Sequence, residues 1–556
     1  MNKTIDALVN GHERAFAPYS LTPMQKLTLR YVVFGFVYYG FAVIEGMLMR
    51  TQQVTPWLEP DQYFGMLTAH PLVGIFGASY LLVLGAFTFL VPYLMKKPLW
   101  SYKTATWTLW LIVAGVFVFW FDGFLTRYAP LYTLYWPLPA DFTQFNPVSG
   151  AIFIVGIAMV MVGTGLYVLN IFKTITYTPA GWTGYPGPGA LLGDALGVTT
   201  IKRLFQGKLR LRRPQEHLVD LPTAAIARGS VDVLLNVVVI LFTGVLILVY
   251  MVARIAGVDL AHTAVDALLY KNWFWWGLDL VADGLVLVFV AGAWYLMAQL
   301  LTGRDVFMAR WARFALGLEL VVSWTVWSHH LLSDQSQPAM LKIGSGEIVT
   351  AFELVTQGLA FFVVLVTLWQ ARPLTMTMPL KFLLGGLLGF ALAVPAGILQ
   401  ADAGLNRVLH NTQWVVGPHV HVAVLVGLTM TLYAAVYYLL PLLTNGAVLW
   451  SRKLATAHFW CQLVGGIGMG AFMGMAGLQG MLRRTLYMEG EYAPYMVLAA
   501  VSGTLLAIGL ACFLVNLVMT LGVKGALGVF ARSSAPVYEL VPGVDLSRPP
   551  GDVREG

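Results

Sequence analysis

The chain has 556 residues, of which 58% are hydrophobic and only 11% charged, with a net charge of +7. A soluble chain carries about 25% charged residues, so a water-exposed globule is excluded, and the basic excess points to membrane loops rather than to nucleic acid. The two cysteines, Cys461 and Cys512, lie in apolar runs and form neither a CxxC clip nor a disulfide framework, and no CxxCH motif for covalent haem attachment occurs.

The first twenty residues are polar, with no short apolar core of the kind a cleavable signal needs. Apolar stretches long enough to cross a bilayer, about 20 residues as helix, then follow one another. Twelve are expected: 28–50, 65–94, 104–127, 148–173, 228–255, 273–301, 311–332, 347–371, 380–401, 411–441, 454–482 and 493–522. They are continuously apolar rather than alternating, and in lipid that pattern means helices. The expected fold class is therefore all-α, a polytopic bundle of twelve transmembrane helices. A segment 1–27 precedes the membrane domain 28–522, and a tail 523–556, Pro- and Gly-rich and expected to be irregular, follows it.

Of 34 basic residues, eight fall on one set of loops: Arg50, Arg127, Arg254, Lys271, Lys342, Arg407, Arg483 and Arg484. The other 26 lie on the opposite side, which places both termini in the cytoplasm of a bacterial-type inner (plasma) membrane. The long cytoplasmic loop 174–227 carries a basic run from Lys202 to Arg213, suited to anchoring on anionic lipid. No repeat of 20–50 residues and no inverted repeat is apparent.

Ionisable residues inside membrane helices are costly and mark function. Six of the ten histidines share one depth in the outer half: His70 on the second segment, His329 and His330 ending the seventh, and His410, His419 and His421 on the tenth. Residues i and i+2 of a helix point about 200° apart, so His419 and His421 can serve two different metal centres at one height. Asp279 and Asp283, four apart on the sixth segment, share a face at the same level.

These residues resemble the catalytic subunit of the haem-copper oxidase superfamily over nearly all twelve segments. The strongest string is HNTQWVVGPHVHVAV from His410, and GLQGMLRR, ending at Arg483 and Arg484, is similar to the family's GxxGMPRR. The resemblance implies His419 as ligand of a high-spin haem, and His70 with His421 as axial ligands of a low-spin haem. It implies His329 and His330 as ligands of a non-haem metal, and Arg483 and Arg484 on haem propionates. His410 and Asn411 are candidates for a propionate or an ion between the haems. The stretch from His410 to His419 is one residue longer than in the family, with Pro418 extra.

The sixth segment reads WWGLDLVADG from Trp275, similar to the WWxxHLWVEG of nitric oxide reductases, with Asp279 in the histidine position and Asp283 in the glutamate position. TAFE, ending at Glu353, resembles a further segment of that branch, with Glu347 as a weaker rival. Two histidines and a carboxylate suit Fe(II) over Cu(I). Two roles stay open for Asp279: direct ligation, or a hydrogen bond to a ligand while water completes the site. Asp283 and Glu353 are the candidate proton donors, and Glu319 is either part of an inner proton path or a satisfied interhelical partner; Glu45 is similar.

The expected activity is reduction of 2 NO with two electrons and two protons to N2O and water, at an atypical nitric oxide reductase site with two haems, b-type by resemblance, and one non-haem metal, iron before copper. Alternatives are a divergent oxygen reductase, a nitric oxide dismutase, or a twelve-helix proton-coupled transporter. Electrons would come from a second subunit with cytochrome c or a cupredoxin centre, or from quinol. His12, His217, His262 and His458 receive no role.

Overall fold

A computed structural model describes residues 21–206, 217–260, 265–327, 329–333, 337–488 and 490–547, without the side chains of Arg203, Leu204 and His329. His12, His262 and much of the basic run from Lys202 to Arg213 lie outside the described residues.

The long helices among the described residues are α1 (Pro23–Gln52), α2 (Pro60–Met95), α3 (Tyr102–Thr126), α4 (Pro147–Thr176), α5 (Leu221–Ile255) and α6 (Ala267–Thr302). They continue as α7 (Ala309–Thr325), α8 (Ala339–Gln370), α9 (Met378–Ala401), α10 (Val415–Leu443), α11 (Arg452–Leu478) and α12 (Ala493–Gly528). Eleven are long and apolar enough to span a membrane. The exception, α7, has 17 residues and is shorter than the expected 311–332. It stops where Val326 leaves helical geometry (φ −76°, ψ 41°), and His329–Leu331 form a separate 3-10 turn. The histidine pair therefore does not end a continuous helix, as the sequence suggested.

Helix starts follow from capping. Ser101, Asn146, Asp220, Thr377 and Ser451 each accept a first-turn backbone N–H. Three helix hairpins share one further bond at their inner ends, from the N–H of a residue just before the first helix to a threonine hydroxyl near the end of the second. The pairs are Trp100 to Thr174 at 3.0 Å, Phe307 to Thr367 at 2.8 Å and Trp450 to Thr520 at 3.0 Å. The α3–α4, α7–α8 and α11–α12 hairpins are thus built alike, a likeness that the sequence did not display as a repeat.

Helices in lipid associate by close packing of small residues. A Cβ on Gly115 of α3 would lie 2.6 Å from the Gly156 carbonyl oxygen of α4, and one on Gly389 of α9 would lie 2.4 Å from the Gly427 nitrogen of α10. Only glycine permits either contact.

Four helices widen into π turns: Val73–Ser79 in α2, Ala282–Val288 in α6, Lys342–Ile348 in α8 and Val415–Leu428 in α10. A π turn absorbs an extra residue without breaking a helix. That is how α10 accommodates the added Pro418. The other three lie beside His70, Asp279 and Glu353.

Both described ends meet at one face. The Thr22 hydroxyl donates to Leu540 O at 2.9 Å, and Lys26 Nζ to Ala531 O at 3.2 Å and Arg532 O at 3.1 Å. The tail is less irregular than expected: β1 (Glu539–Val541) pairs antiparallel with β2 (Val544–Asp545). A turn between two short strands leaves few polar groups unpaired over the helix ends.

Candidate functional site

The cavity between α1, α2, α6, α8, α9, α10, α11 and α12 measures about 370 Å³ and is lined mainly by apolar side chains. His70, His330, His419, His421, Asp279, Asp283, Glu353, Arg483 and Arg484 all reach it. His410 adjoins it, in a small polar space shared with His330 and His419.

Three cavity-lining histidines on α2 and α10 are each held by a backbone carbonyl. His70 Nδ1 meets Ala42 O at 2.8 Å, His421 Nδ1 meets Val416 O at 2.6 Å, and His419 Nδ1 meets Ala393 O at 3.1 Å. Such a bond orients the ring and leaves Nε2 for a metal. The His70 and His421 rings are 6.0 Å apart between centres and inclined by 17°. Two metal–nitrogen bonds of about 2 Å plus two imidazole half-widths come to roughly the same span. The pair would therefore be able to hold one haem iron between α2 and α10.

His419 faces away from that pair, as the spacing on α10 suggests, and lies against α9. Its ring covers Gly397, where a Cβ would stand 2.4 Å from Cε1. Gly46 plays a looser version of this part for His70, at 3.0 Å.

His330 Nε2 lies 2.6 Å from Asp279 Oδ1. Its ring stacks on Trp275 with centres 4.1 Å apart, and Trp275 Nε1 donates to the Tyr135 hydroxyl. His410 stands 5.7 Å from His330, ring to ring. Of the expected non-haem set, Asp279 and His330 come together, whereas the His329 side chain lies outside the description. Among the described residues no three histidine, cysteine or acidic groups gather closely enough to hold a metal. A histidine–carboxylate pair in an apolar cavity is a fitting partial ligand set for Fe(II).

The arginine pair sits on the loop between α11 and α12. Arg483 N donates to Asn411 O at 3.0 Å, and Gln413 N to Met481 O at 2.9 Å, which ties that loop to the start of α10. Arg484 donates to the Tyr132 hydroxyl at 3.3 Å and lies over the Tyr132 and Tyr135 rings. Burial, and then the neighbouring Arg484, pull Arg483 down to about 10. Burial alone would raise the Tyr132 phenol, but the cations of Arg484 and Arg483 hold it below its ordinary value. The Nε–H groups of both arginines are buried without a partner in the protein. Paired guanidinium donors aimed at a cavity suit the carboxylates of a haem.

Asp283 and Glu353 line the same cavity, on α6 and α8. Glu347, the rival for Glu353, accepts from Ala403 N at 3.1 Å and does not reach the cavity. Glu45 accepts from Trp120 Nε1 at 2.8 Å. His217 pairs with Asp194 at 3.0 Å, and His458 sits among Tyr433, Tyr437 and Phe513.

Sequence reasoning missed Tyr132, Tyr135, Arg50 and Asp232. The tyrosines lie on an ordinary-looking outer loop, and nothing in the sequence marks them. Arg50 was counted as a loop cation, yet it is 6% exposed and lines the cavity near His70. Asp232 is a carboxylate in the apolar run of α5, and the rule that singled out Glu319 would have found it.

Residues 26–505 match the family model described as Cytochrome C and Quinol oxidase polypeptide I. The chain is 23% identical over 504 residues to the cytochrome c oxidase polypeptide 1 of Halobacterium salinarum, covering 89% of this chain and 77% of that protein. It is 23% identical over 525 residues to the cytochrome bo(3) ubiquinol oxidase subunit 1 of Buchnera aphidicola, covering 88% and 70%. A cryo-EM structure of a haem-copper terminal oxidase dimer shares the fold, with a TM-score of 0.69 at 20% identity over 93% of this chain and 86% of that one.

Proposed function

The chain belongs to the cytochrome c and quinol oxidase polypeptide I family, a family of multi-span membrane oxidoreductases that bind haem and a further metal, and from that premise we propose that it is the catalytic subunit of an atypical nitric oxide reductase. The reaction is 2 NO + 2 e⁻ + 2 H⁺ to N2O + H2O. The observation that carries this reading is the Asp279–His330 pair at 2.6 Å, on a helix turn that offers a carboxylate where the family's oxygen reductases carry a histidine.

When bound, a low-spin haem at His70 and His421, a high-spin haem at His419 and a non-haem metal at Asp279 and His330 would supply electron transfer and the surface on which both NO molecules are activated. The protein does the rest. Backbone carbonyls fix the three haem-facing imidazoles in one tautomer, so ligation needs no reorganisation. Arg483 and Arg484 offer guanidinium donors to haem carboxylates at the outer rim. Apolar walls exclude water and keep two small apolar molecules close together, which lowers the entropic cost of joining them. Asp283 and Glu353 hold protons on carboxyl oxygens within the same cavity and release them as product forms. Electrons enter from the outer face, from a partner subunit with a cytochrome c or cupredoxin centre, or from quinol.

Oxygen reduction is the second reading, favoured by the printed names of the relatives. Anaerobic NO consumption with matching N2O yield, compared with O2 consumption by the same sample, decides between them. Brisk O2 uptake with NO acting only as inhibitor would overturn the nitric oxide assignment.

A further inference from the structure

Outside the cavity, on the α1 side of the bundle, stands a buried carboxyl that the reaction above does not use. Glu45 of α1 is 6% exposed, and its Oε1 accepts from the indole Nε1 of Trp120 on α3 at 2.8 Å. Its Oε2 is buried without a partner in the protein. The carboxyl therefore lies in the seam between α1 and α3. Counted at 1.5 Å per residue, that is about 10 Å below the outer ends of both helices. A carboxyl at this depth is costly, an unmatched oxygen adds to the cost, and such a group marks function.

The seam carries an aromatic shelf on its lipid side. Phe41 of α1 stacks on Trp120 with centres 4.9 Å apart and planes inclined by 14°. Trp120 lies nearly parallel to Phe124, at 6.1 Å and 15°, and Phe117 to Phe121, at 5.4 Å and 11°. Phe117, Phe121 and Phe124 are exposed. Near-parallel ring faces favour a flat aromatic ring in offset stacking. A lipid acyl chain gains nothing from that geometry and has no donor for Glu45 Oε2. The seam also adjoins His70. Ala42 O holds His70 Nδ1 at 2.8 Å, and a Cβ on Gly46 would stand 3.0 Å from His70 Cε1. Ala42, Glu45 and Gly46 share one turn of α1, so the carboxyl lies within about one helix diameter, about 10 Å, of the His70 ring. A flat ring on the shelf with a hydroxyl on Glu45 is thus close to the cofactor that His70 would hold.

We propose that the α1–α3 seam is a quinol oxidation site, in which a membrane hydroquinone stacks beside Trp120 and Phe124 and donates a ring hydroxyl to Glu45 Oε2. The inference rests on the proposed function for what finally receives the electrons, and it names their donor. The quinol gives up one electron and one proton in each of two steps. The electron passes toward His70, and the proton moves from the ring hydroxyl to Glu45 Oε2, which releases it to the outer medium before the next step. Trp120 occupies Oε1, so Oε2 is the oxygen left to act as base. The quinol leaves as the quinone, and the sum is QH2 + 2 NO to Q + N2O + H2O. A donor that diffuses within the bilayer reaches this seam from the lipid and needs no docking face on a second subunit.

The test uses the full enzyme with any subunit that purifies with it, anaerobic and without NO. Decylubiquinol, a benzoquinol, and menadiol, a naphthoquinol, are each mixed with it in a stopped flow, and reduction of the low-spin haem is followed in the visible spectrum. At least one of the two should reduce that haem. Glu45→Gln should slow the reduction about 100-fold, and Glu45→Asp should restore much of it. With dithionite both variants should give the wild-type haem spectrum, which separates a lost base from a misfolded protein. Phe124→Leu, on the exposed side, leaves the core intact. It should raise the quinol concentration at half-maximal rate several-fold, more than it lowers the saturated rate. A photoreactive azidoquinone should label the segment of α3 around Trp120. If neither quinol reduces the haem that dithionite reduces, or if Glu45→Gln equals wild type, the site is overturned. If a quinol reduces the haem by these criteria but NO added afterwards is not consumed, the nitric oxide reading fails and the quinol site stands.

Discussion

Gly397→Ala isolates the positioning of His419 from the rest of the site. The new Cβ would stand 2.4 Å from His419 Cε1 and 2.5 Å from Nδ1. Non-bonded carbons need about 3.5 Å, so the ring has to retreat by about 1 Å. The Nδ1 contact with Ala393 O is already 3.1 Å long, and no hydrogen bond survives at about 3.6 Å or beyond. Overpacking of this kind costs about 1–3 kcal/mol, and loss of a bond that orients a metal-ligating histidine weakens metal binding about 10–100-fold. The expected outcome is loss of roughly half the haem, with the remainder spectrally low-spin. The low-spin pair does not touch Gly397 and serves as an internal control. Haem per chain by pyridine haemochrome, together with CO binding to the reduced enzyme, reads the result. Gly46→Ala should disturb the other haem more mildly, because its Cβ would meet His70 at 3.0 Å. Full haem content and unchanged CO binding in Gly397→Ala would refute His419 as a ligand.

Asp279→Ala should strip the non-haem metal and keep both haems, measured as metal per haem by plasma mass spectrometry; stoichiometric metal in the variant would reduce Asp279 to a partner of His330. Arg484→Leu removes a charge-assisted donor, a loss of about 1.5–3 kcal/mol, and should show as faster haem transfer to an apoprotein acceptor; an unchanged transfer rate would count against the propionate role. Gly474→Ala would place a Cβ 2.3 Å from Pro418 Cγ. It should lower the thermal midpoint in detergent by several degrees through overpacking of α10 on α11, and an unchanged midpoint would mean that the two helices separate at little cost.

Much of this protein is legible from residue order. Helix number and direction follow from apolar length and from the sorting of Lys and Arg, which lipid and membrane orientation impose on any sequence. The depth of His70, His419, His421, Asp279 and Asp283 follows too, because ionisable residues inside apolar runs are rare and rise per residue is constant. The opposed directions of His419 and His421 need only helical geometry.

Other features were decided only when the helices packed. Sequence distance counts residues along one helix, and this site is lined by eight. The early stop of α7 brings His330 onto Trp275 and Asp279, and no local signal marks that stop. The π turn that absorbs Pro418 depends on the glycine face of α11 against which it rests. Glu353 rather than Glu347 reaches the cavity: Glu347 stands within the wide turn of α8 and accepts from Ala403 N, whereas Glu353 lies on the regular helix beyond it. Sequence by itself determined which residues are too costly to be idle in a membrane. Tertiary structure decided which of them share a cavity, since the penalty for a buried charge depends on what stands beside it.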